Sequence, residues 1–295
     1  MKNNFKNLDK LKVPLKNLDK LYTQKTKITK AEIINYYLKA SHLILPHIKN
    51  KPFSMIHYPN GVEGDFFYQK ECPKEAPDWL KTKAIPSSTR GEINWCLVND
   101  LRSIVYMANR SVIEMHTWFS RLPNLKKADM AIIDLDPSGN AGFKEAVEIA
   151  SAFGLILERI NIFSVPMTSG GSGIHIRIPI KTSSFAEIQT FLLKLCNIVS
   201  EAYPDIATTE RIVDKRGDKI YLDAIQNAYG KTIIAPYSLR ARESIPVATP
   251  LLWEELKDKN LKPENFTIKN IFERLEKIGD LFQDFYKKKQ IMPDI

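Results

Sequence analysis

Apolar and polar positions recur along this chain with periods that mark out most of its elements. From Thr29 the spacing of Ile33, Ile34, Tyr37 and Leu38 predicts a helix, with Pro46 as its expected end. FSMIHY and DFFYQK, on either side of Pro-Asn-Gly-Val-Glu-Gly, predict two strands joined by a turn. Residues 81–91, KTKAIPSSTRG, read as a basic loop, EINWCLV as a strand, 101–107 as a helix and IEMHTWF as a strand. The apolar run MAIIDL predicts a strand that ends in the acids of DLDP, and 143–160 reads as a helix. SVPMTS and IHIRIPI are two short strands, 184–203 is an amphipathic helix and KIYLDAI a further strand. A stripe of Ile268, Ile271, Phe272, Leu275, Ile278, Leu281 and Phe285 predicts one more helix over 266–285, packed on the body.

From the MAIIDL strand onward the order is βαββαβ, the ferredoxin-like arrangement in which helices cover one face of an antiparallel sheet. Side chains two apart on a strand share a face, so Asp134 and Asp136 project together, about 6 to 7 Å apart, while Ile133 and Leu135 turn the other way into a core. In this topology the last strand lies beside the first, which brings Asp223 near the other two acids. Three carboxylates so gathered suit a pair of hard divalent cations. A capping turn at Asp-Pro-Ser-Gly is the competing reading of the same residues.

Charge sharpens the picture: 43 Lys and Arg against 34 Asp and Glu give a net +9, which favours a polyanionic partner such as nucleic acid. Cys72, Cys96 and Cys196 are odd in number and lack C-x-x-C spacing, so neither a disulfide framework nor a zinc knuckle is expected, in keeping with a reducing cytoplasm. No stretch is apolar for the length of a membrane span, and MKNNFKNLDK has no apolar signal region, so a cytoplasmic, nucleoid-associated protein with no membrane partner is expected. KNLDKL occurs at 6–11 and again at 16–21 in a Lys-rich arm.

Further chemistry sits in loops. TSGGSGIH at 168–175 has three glycines whose backbone N–H groups can approach phosphates, although such a hairpin is often only a turn. Lys30 falls in the first turn of a helix, where a cation is unfavourable unless an anion is shared with the helix N-terminus. The rings of Phe66, Phe67 and Tyr68 cannot all face one side of a strand, so at least one is expected to be exposed, where it can stack on a base. His116 on its strand reads, by itself, as a structural hydrogen-bonding residue.

Several of these stretches together resemble the archaeo-eukaryotic primase superfamily, and most closely the polymerase domain of bacterial ligase D and its stand-alone relatives in non-homologous end joining. The matching text is NLDKLY, TKAEIINYY, LPHI, YPNGVEG, FYQK, PDW, PSSTRG, IEMHTW, DLDP, TSGGSGIHI, YLDAIQN, APYSLRAR and VATPLLWEEL, spanning about residues 15–257. The resemblance implies an α/β (α+β) primase-polymerase fold. An arm at 1–14, an αβ module at 15–125, an RRM-like catalytic module at 126–257 and a C-terminal helix within 258–295 are expected.

It also implies roles. Asp134, Asp136 and Asp223 match the metal-binding triad, for two Mn²⁺ or Mg²⁺ ions, with NTP or dNTP as substrates. Ser169, His175, Arg240 and His116 match nucleotide-binding positions, His116 near the incoming sugar and Arg240 at the triphosphate. Asn17, Lys20 and Lys30 match residues that hold the 5′-phosphate of a downstream strand. Phe67 and Tyr68 match a template-stacking pair, and Arg216 a loop arginine that aligns the primer terminus. Ser172 departs from the pattern, since relatives usually carry Lys there. The implied partners are double-stranded DNA ends with 3′ overhangs and a 5′-phosphate, Ku, and a separate ATP-dependent DNA ligase. The implied activity is extension and gap-filling of broken ends with a preference for ribonucleotides. The alternatives are a primase-polymerase that starts chains de novo, a non-catalytic end-bridging module and, more distantly, a metal-dependent nuclease.

Overall fold

The computed structural model describes residues 11–87 and 91–294. In chain order the elements are helix α1 (Lys30–Ile48), strands β1 (Pro52–His57), β2 (Phe67–Gln69), β3 (Thr82–Ser87) and β4 (Gly91–Leu97), helix α2 (Leu101–Asn109), and strands β5 (Val112–Trp118), β6 (Ser120–Arg121) and β7 (Asn124–Pro137). Helix α3 (Phe143–Arg159), strands β8 (Val165–Thr168) and β9 (Ile174–Ser184), and helix α4 (Phe185–Ala202) follow. Strands β10 (Ala207–Thr208), β11 (Ile220–Leu222) and β12 (Thr232–Ile234), then helix α5 (Ile271–Ile278), complete the chain. They form two compact units, the first running through Thr117 and including Ile233–Pro246, the second made of Trp118–Thr232 with the chain from Val247 onward. The modules read from the sequence are contiguous, whereas here 233–246 groups with the first unit and the residues after 257 with the second. Residues 1–10 of the expected arm lie outside the described residues.

In the first unit the sheet runs β12-β5-β1-β4-β3, with β2 beside β1. Helix α1 starts at Thr29, whose side chain and that of Glu32 cap each other's backbone N–H, and it buries Ile33, Ile34, Tyr37 and Ile44. Pro46 does not end it. The helix runs on to Ile48, because burial of His47 and Ile48 offsets the one hydrogen bond that proline removes. The expected basic loop at 81–91 is also corrected: Thr82–Ser87 pair residue by residue with β4, from Thr82 opposite Cys96 to Ser87 opposite Gly91. Strand β3 ends its sheet, where Pro86 and outward lysines are tolerated. Residues 88–90 lie outside the described residues. Cys72 and Cys96 form a disulfide, contrary to expectation, while Cys196 is free and buried. The bridge between Glu71 and Trp95, and the Cys72 N–H donating to the Asn94 carbonyl at 2.7 Å, bring residue 72 beside β4. That approach is tertiary, so cysteine spacing could not signal it.

In the second unit the sheet order is β10-β11-β7-β9-β8, with β6 beside β7. The succession β7-α3-β8-β9-α4-β11 is the expected βαββαβ, and β11 does pair with β7, antiparallel. Strand β7 is central and buried from Ala128 to Leu135, which is why its apolar run is nearly unbroken. Helices α3 and α4 pack on β7 and β9. The C-terminal stripe yields a helix of only Ile271–Ile278, ended by Gly279 at a φ of 75°. Past it Phe282 and Phe285 are buried without continuing the helix.

Candidate active site

Strand β7 carries Asp134 and Asp136 near its C-terminal end. Asp134 is buried and sits opposite His175 on β9, whose Nε2 lies 3.2 Å from Asp134 Oδ1. Both Asp134 Oδ1 and His175 Nδ1 are buried with no hydrogen-bond partner. Asp223 comes directly after β11, and its N–H donates to the Asp134 carbonyl at 2.9 Å. Its carboxylate accepts from Gln226 N at 2.8 Å and from the Tyr221 hydroxyl at 3.3 Å. Burial raises the Asp223 pKa, and the charge of Asp134 raises it further. Asp136 opposes Tyr221 and is exposed at the rim of the strand. Among the described residues no three His, Cys, Asp or Glu side chains already stand as a ready-made metal cluster.

The Gly-rich turn between β8 and β9 packs against the same strand. Ser169 closes it: its Oγ accepts from Gly171 N at 3.1 Å and Gly173 N at 3.3 Å, and its N–H donates to the Gly173 carbonyl. With two acceptor positions used, the hydroxyl proton remains to be donated. A Cβ on Gly173 would lie 2.5 Å from the Leu135 carbonyl and 3.5 Å from Asp136 Oδ1, so only glycine lets the turn come this close to the acids. Arg216 is engaged within its own loop. Its Nε donates to the Glu210 carbonyl and its Nη2 to the Arg211 carbonyl, both at 3.0 Å, and its guanidinium lies 3.7 Å over the Tyr221 ring.

The first unit holds the remaining residues in three groups. Glu114 on β5 is buried and joins His116 to Arg240: Glu114 Oε2 accepts from His116 Nε2 at 3.0 Å and Arg240 Nη1 at 2.9 Å. Near α1, Lys30 is buried, donates to the Lys16 carbonyl at 2.8 Å, and receives its neighbours through main-chain bonds from Lys30 N to Lys20 O and from Lys20 N to Asn17 O. Lys20 Nζ reaches Asn60 Oδ1 at 3.3 Å. Burial, then the charge of Lys20, lowers the Lys30 pKa to about 8. Phe67 and Tyr68 on β2 are each about half exposed, at 50% and 51%, and Phe66 is exposed too, so all three rings of the run reach solvent. Phe67 stacks on His57, with ring centroids 4.5 Å apart.

Residues 29–282 match the family described as LigD, primase-polymerase domain. The chain belongs to the LigD primase-polymerase domain family. It is 35% identical, over 96% of its length, to the bifunctional non-homologous end joining protein LigD of Bacillus subtilis (strain 168), of which it covers 45%. It is 30% identical, over 92% of its length, to the multifunctional LigD of Mycolicibacterium smegmatis, of which it covers 35%. The chain thus spans less than half the length of these curated relatives. A solved structure, the polymerase domain from Mycobacterium tuberculosis ligase D in complex with DNA, superposes with a TM-score of 0.86 at 28% identity, covering 94% of this chain and 99% of that one.

The primase-polymerase fold read from the sequence is therefore the fold of this LigD-family chain. Glu114 and His57 in the first unit, and Tyr221 in the second, each touch a candidate residue of their own unit and were not singled out from the sequence. In IEMHTW the alternation of a strand puts Glu114 and His116 on one face, a signal that was present. The stacking of His57 under Phe67 depends on the pairing of β1 with β2, which sequence spacing does not show. No helix among the described residues is long and apolar enough to cross a membrane.

Proposed function

We propose that this chain is a template-directed nucleotidyltransferase that extends and fills broken DNA ends in non-homologous end joining, with a preference for ribonucleotides. The observation that carries this reading is the pairing of β11 with β7, which sets the main chain of Asp223 beside that of Asp134, with the Gly-rich turn packed against Leu135 and Asp136. Membership of the LigD primase-polymerase family and likeness to a polymerase domain solved with DNA support it. The acids fit divalent cations, Mn²⁺ or Mg²⁺. Asp134 Oδ1 is buried without a hydrogen-bond partner, and the neighbouring carboxylate makes ionisation of Asp223 costly, so positive charge would relieve both. Two such ions, when bound, acidify an attacking hydroxyl and neutralise charge on the transferring phosphate.

The chain's own residues bind and orient. Ser169 and the amides of its turn suit triphosphate oxygens, and His175, beside Asp134, takes charge that develops on the pyrophosphate. Arg240 is assigned to the triphosphate and His116 to the sugar. Asn17, Lys20 and Lys30 hold a downstream 5′-phosphate, Phe67 and Tyr68 stack on template bases, and Arg216 aligns the primer end. Ku and a separate ATP-dependent ligase are the partners this reading implies. The test is extension of a short 3′-overhang duplex with ribo- and deoxyribonucleotides, with and without a 5′-phosphate on the downstream strand. Asp134→Ala should abolish extension and leave DNA binding by anisotropy unchanged. Bridging of ends without any extension by the wild type would overturn the reading, and synthesis without a primer would favour de novo priming.

A further inference from the structure

Glu114 is a side chain to which neither the family resemblance nor the triad gives a role, yet among the described residues of the first unit its carboxylate accepts from four donors. It is only 5% exposed, and each of its oxygens serves two donors. Oε2 accepts from His116 Nε2 at 3.0 Å and Arg240 Nη1 at 2.9 Å, while Oε1 accepts from the Ala241 N–H at 3.1 Å and the Tyr58 hydroxyl at 3.3 Å. Four donors converge on one group that can only accept. A buried carboxylate is costly unless paired and bonded in this way, and here the bonding ties two segments distant in sequence to one group.

We propose that Glu114 is the positioning residue that sets both nucleotide-contacting side chains of the first unit, fixing the His116 tautomer and the Arg240 guanidinium together. The inference rests on the assignment of His116 and Arg240 to nucleotide binding made above. Because a carboxylate cannot donate, His116 must carry a proton on Nε2, which excludes the neutral Nδ1–H tautomer and fixes the direction of the ring. The same oxygen holds Nη1 of Arg240, and the neighbouring Ala241 N–H bond anchors the main chain of that segment to the same carboxylate. His116 and Arg240 lie 124 residues apart in the sequence, so this shared partner is what makes their placement one variable rather than two.

The donor count gives a sharp test. In Glu114→Gln the amide has the same shape but only one acceptor oxygen, and its NH₂ must confront two donors whichever way it is turned. Glu114→Gln is therefore expected to raise the KM for a nucleoside triphosphate in primer extension about ten- to a hundredfold, the range of a charge-assisted hydrogen bond, with a smaller change in kcat. Most of that effect should vanish when the substitution is made in an Arg240→Ala, His116→Ala background, because the residues through which it acts are gone. Additive losses in the triple variant, or an unchanged KM in Glu114→Gln, would overturn the proposal. A second measurement needs no variant: side-chain nitrogen NMR of the wild-type protein should show His116 with a proton on Nε2, and the neutral Nδ1–H tautomer would overturn it equally. The tautomer is read without nucleotide, so its failure is distinct from a wild type that extends no primer, which would sink the underlying function.

Discussion

Lys30 is the residue at which burial and charge are most clearly in tension. Its ammonium is buried and lies near Lys20, and its pKa is lowered to about 8. The folded value lies below the ordinary lysine value of 10.5, so the charged form is the disfavoured one in the folded protein. The resulting cost is full below pH 8 and is relieved as pH rises toward 10.5, so this group makes stability increase with pH across that window. A bound 5′-phosphate works in the opposite sense, because it needs the charge. Preference for a 5′-phosphorylated over a 5′-hydroxyl end, measured by anisotropy, should therefore weaken as pH rises through about 8. Lys30→Arg, charged throughout, should flatten that dependence, and a flat wild-type profile would remove Lys30 from the contact. Phe67 offers a simpler residue-level outcome. With one face on His57 and half its surface exposed, its loss in Phe67→Ala should weaken template-end binding by about 1 to 3 kcal/mol, read from titrations of overhang DNA.

At the scale of elements, the Gly-rich turn and the acid strand behave as one piece. The 2.5 Å approach that a Cβ on Gly173 would make to the Leu135 carbonyl is to main chain, which has no flexible end to yield. Gly173→Ala should cost about 1 to 3 kcal/mol and lower the melting temperature by several degrees. It should also depress extension more than the stability loss explains, since the turn must withdraw from Asp136. A variant with full extension activity would show that the close approach is dispensable. This central piece was legible in the sequence because local signals agreed: the apolar run of β7, the glycines and the βαββαβ order all specify the same pairing. Elsewhere local and tertiary preferences diverge. Lys81, Lys83 and Pro86 look like a loop until β4 supplies a partner. The C-terminal stripe keeps its apolar spacing past Gly279, where the positive φ turns the chain away from a helix. Cys72 and Cys96 meet only because the chain at Glu71 bridges to Trp95.

Over the whole molecule, the net charge of +9 should make DNA binding fall steeply with salt, because each phosphate neutralised releases counterions. Replacing Lys20 by Ala should reduce the slope of log affinity against log salt by about one, without changing sequence preference. An unaltered slope would mean that Lys20 contacts no phosphate. The path of the chain has a consequence of its own for anyone who would dissect the protein. The main chain leaves the first unit after Thr117, builds the second, comes back for Ile233–Pro246 and departs again. A fragment truncated at Thr117 would forfeit strand β12 and Arg240, stripping the buried Glu114 of its two donors from Arg240 and Ala241. Expressing either half alone therefore demands a splice that restores those fourteen residues to their host, not a single cut.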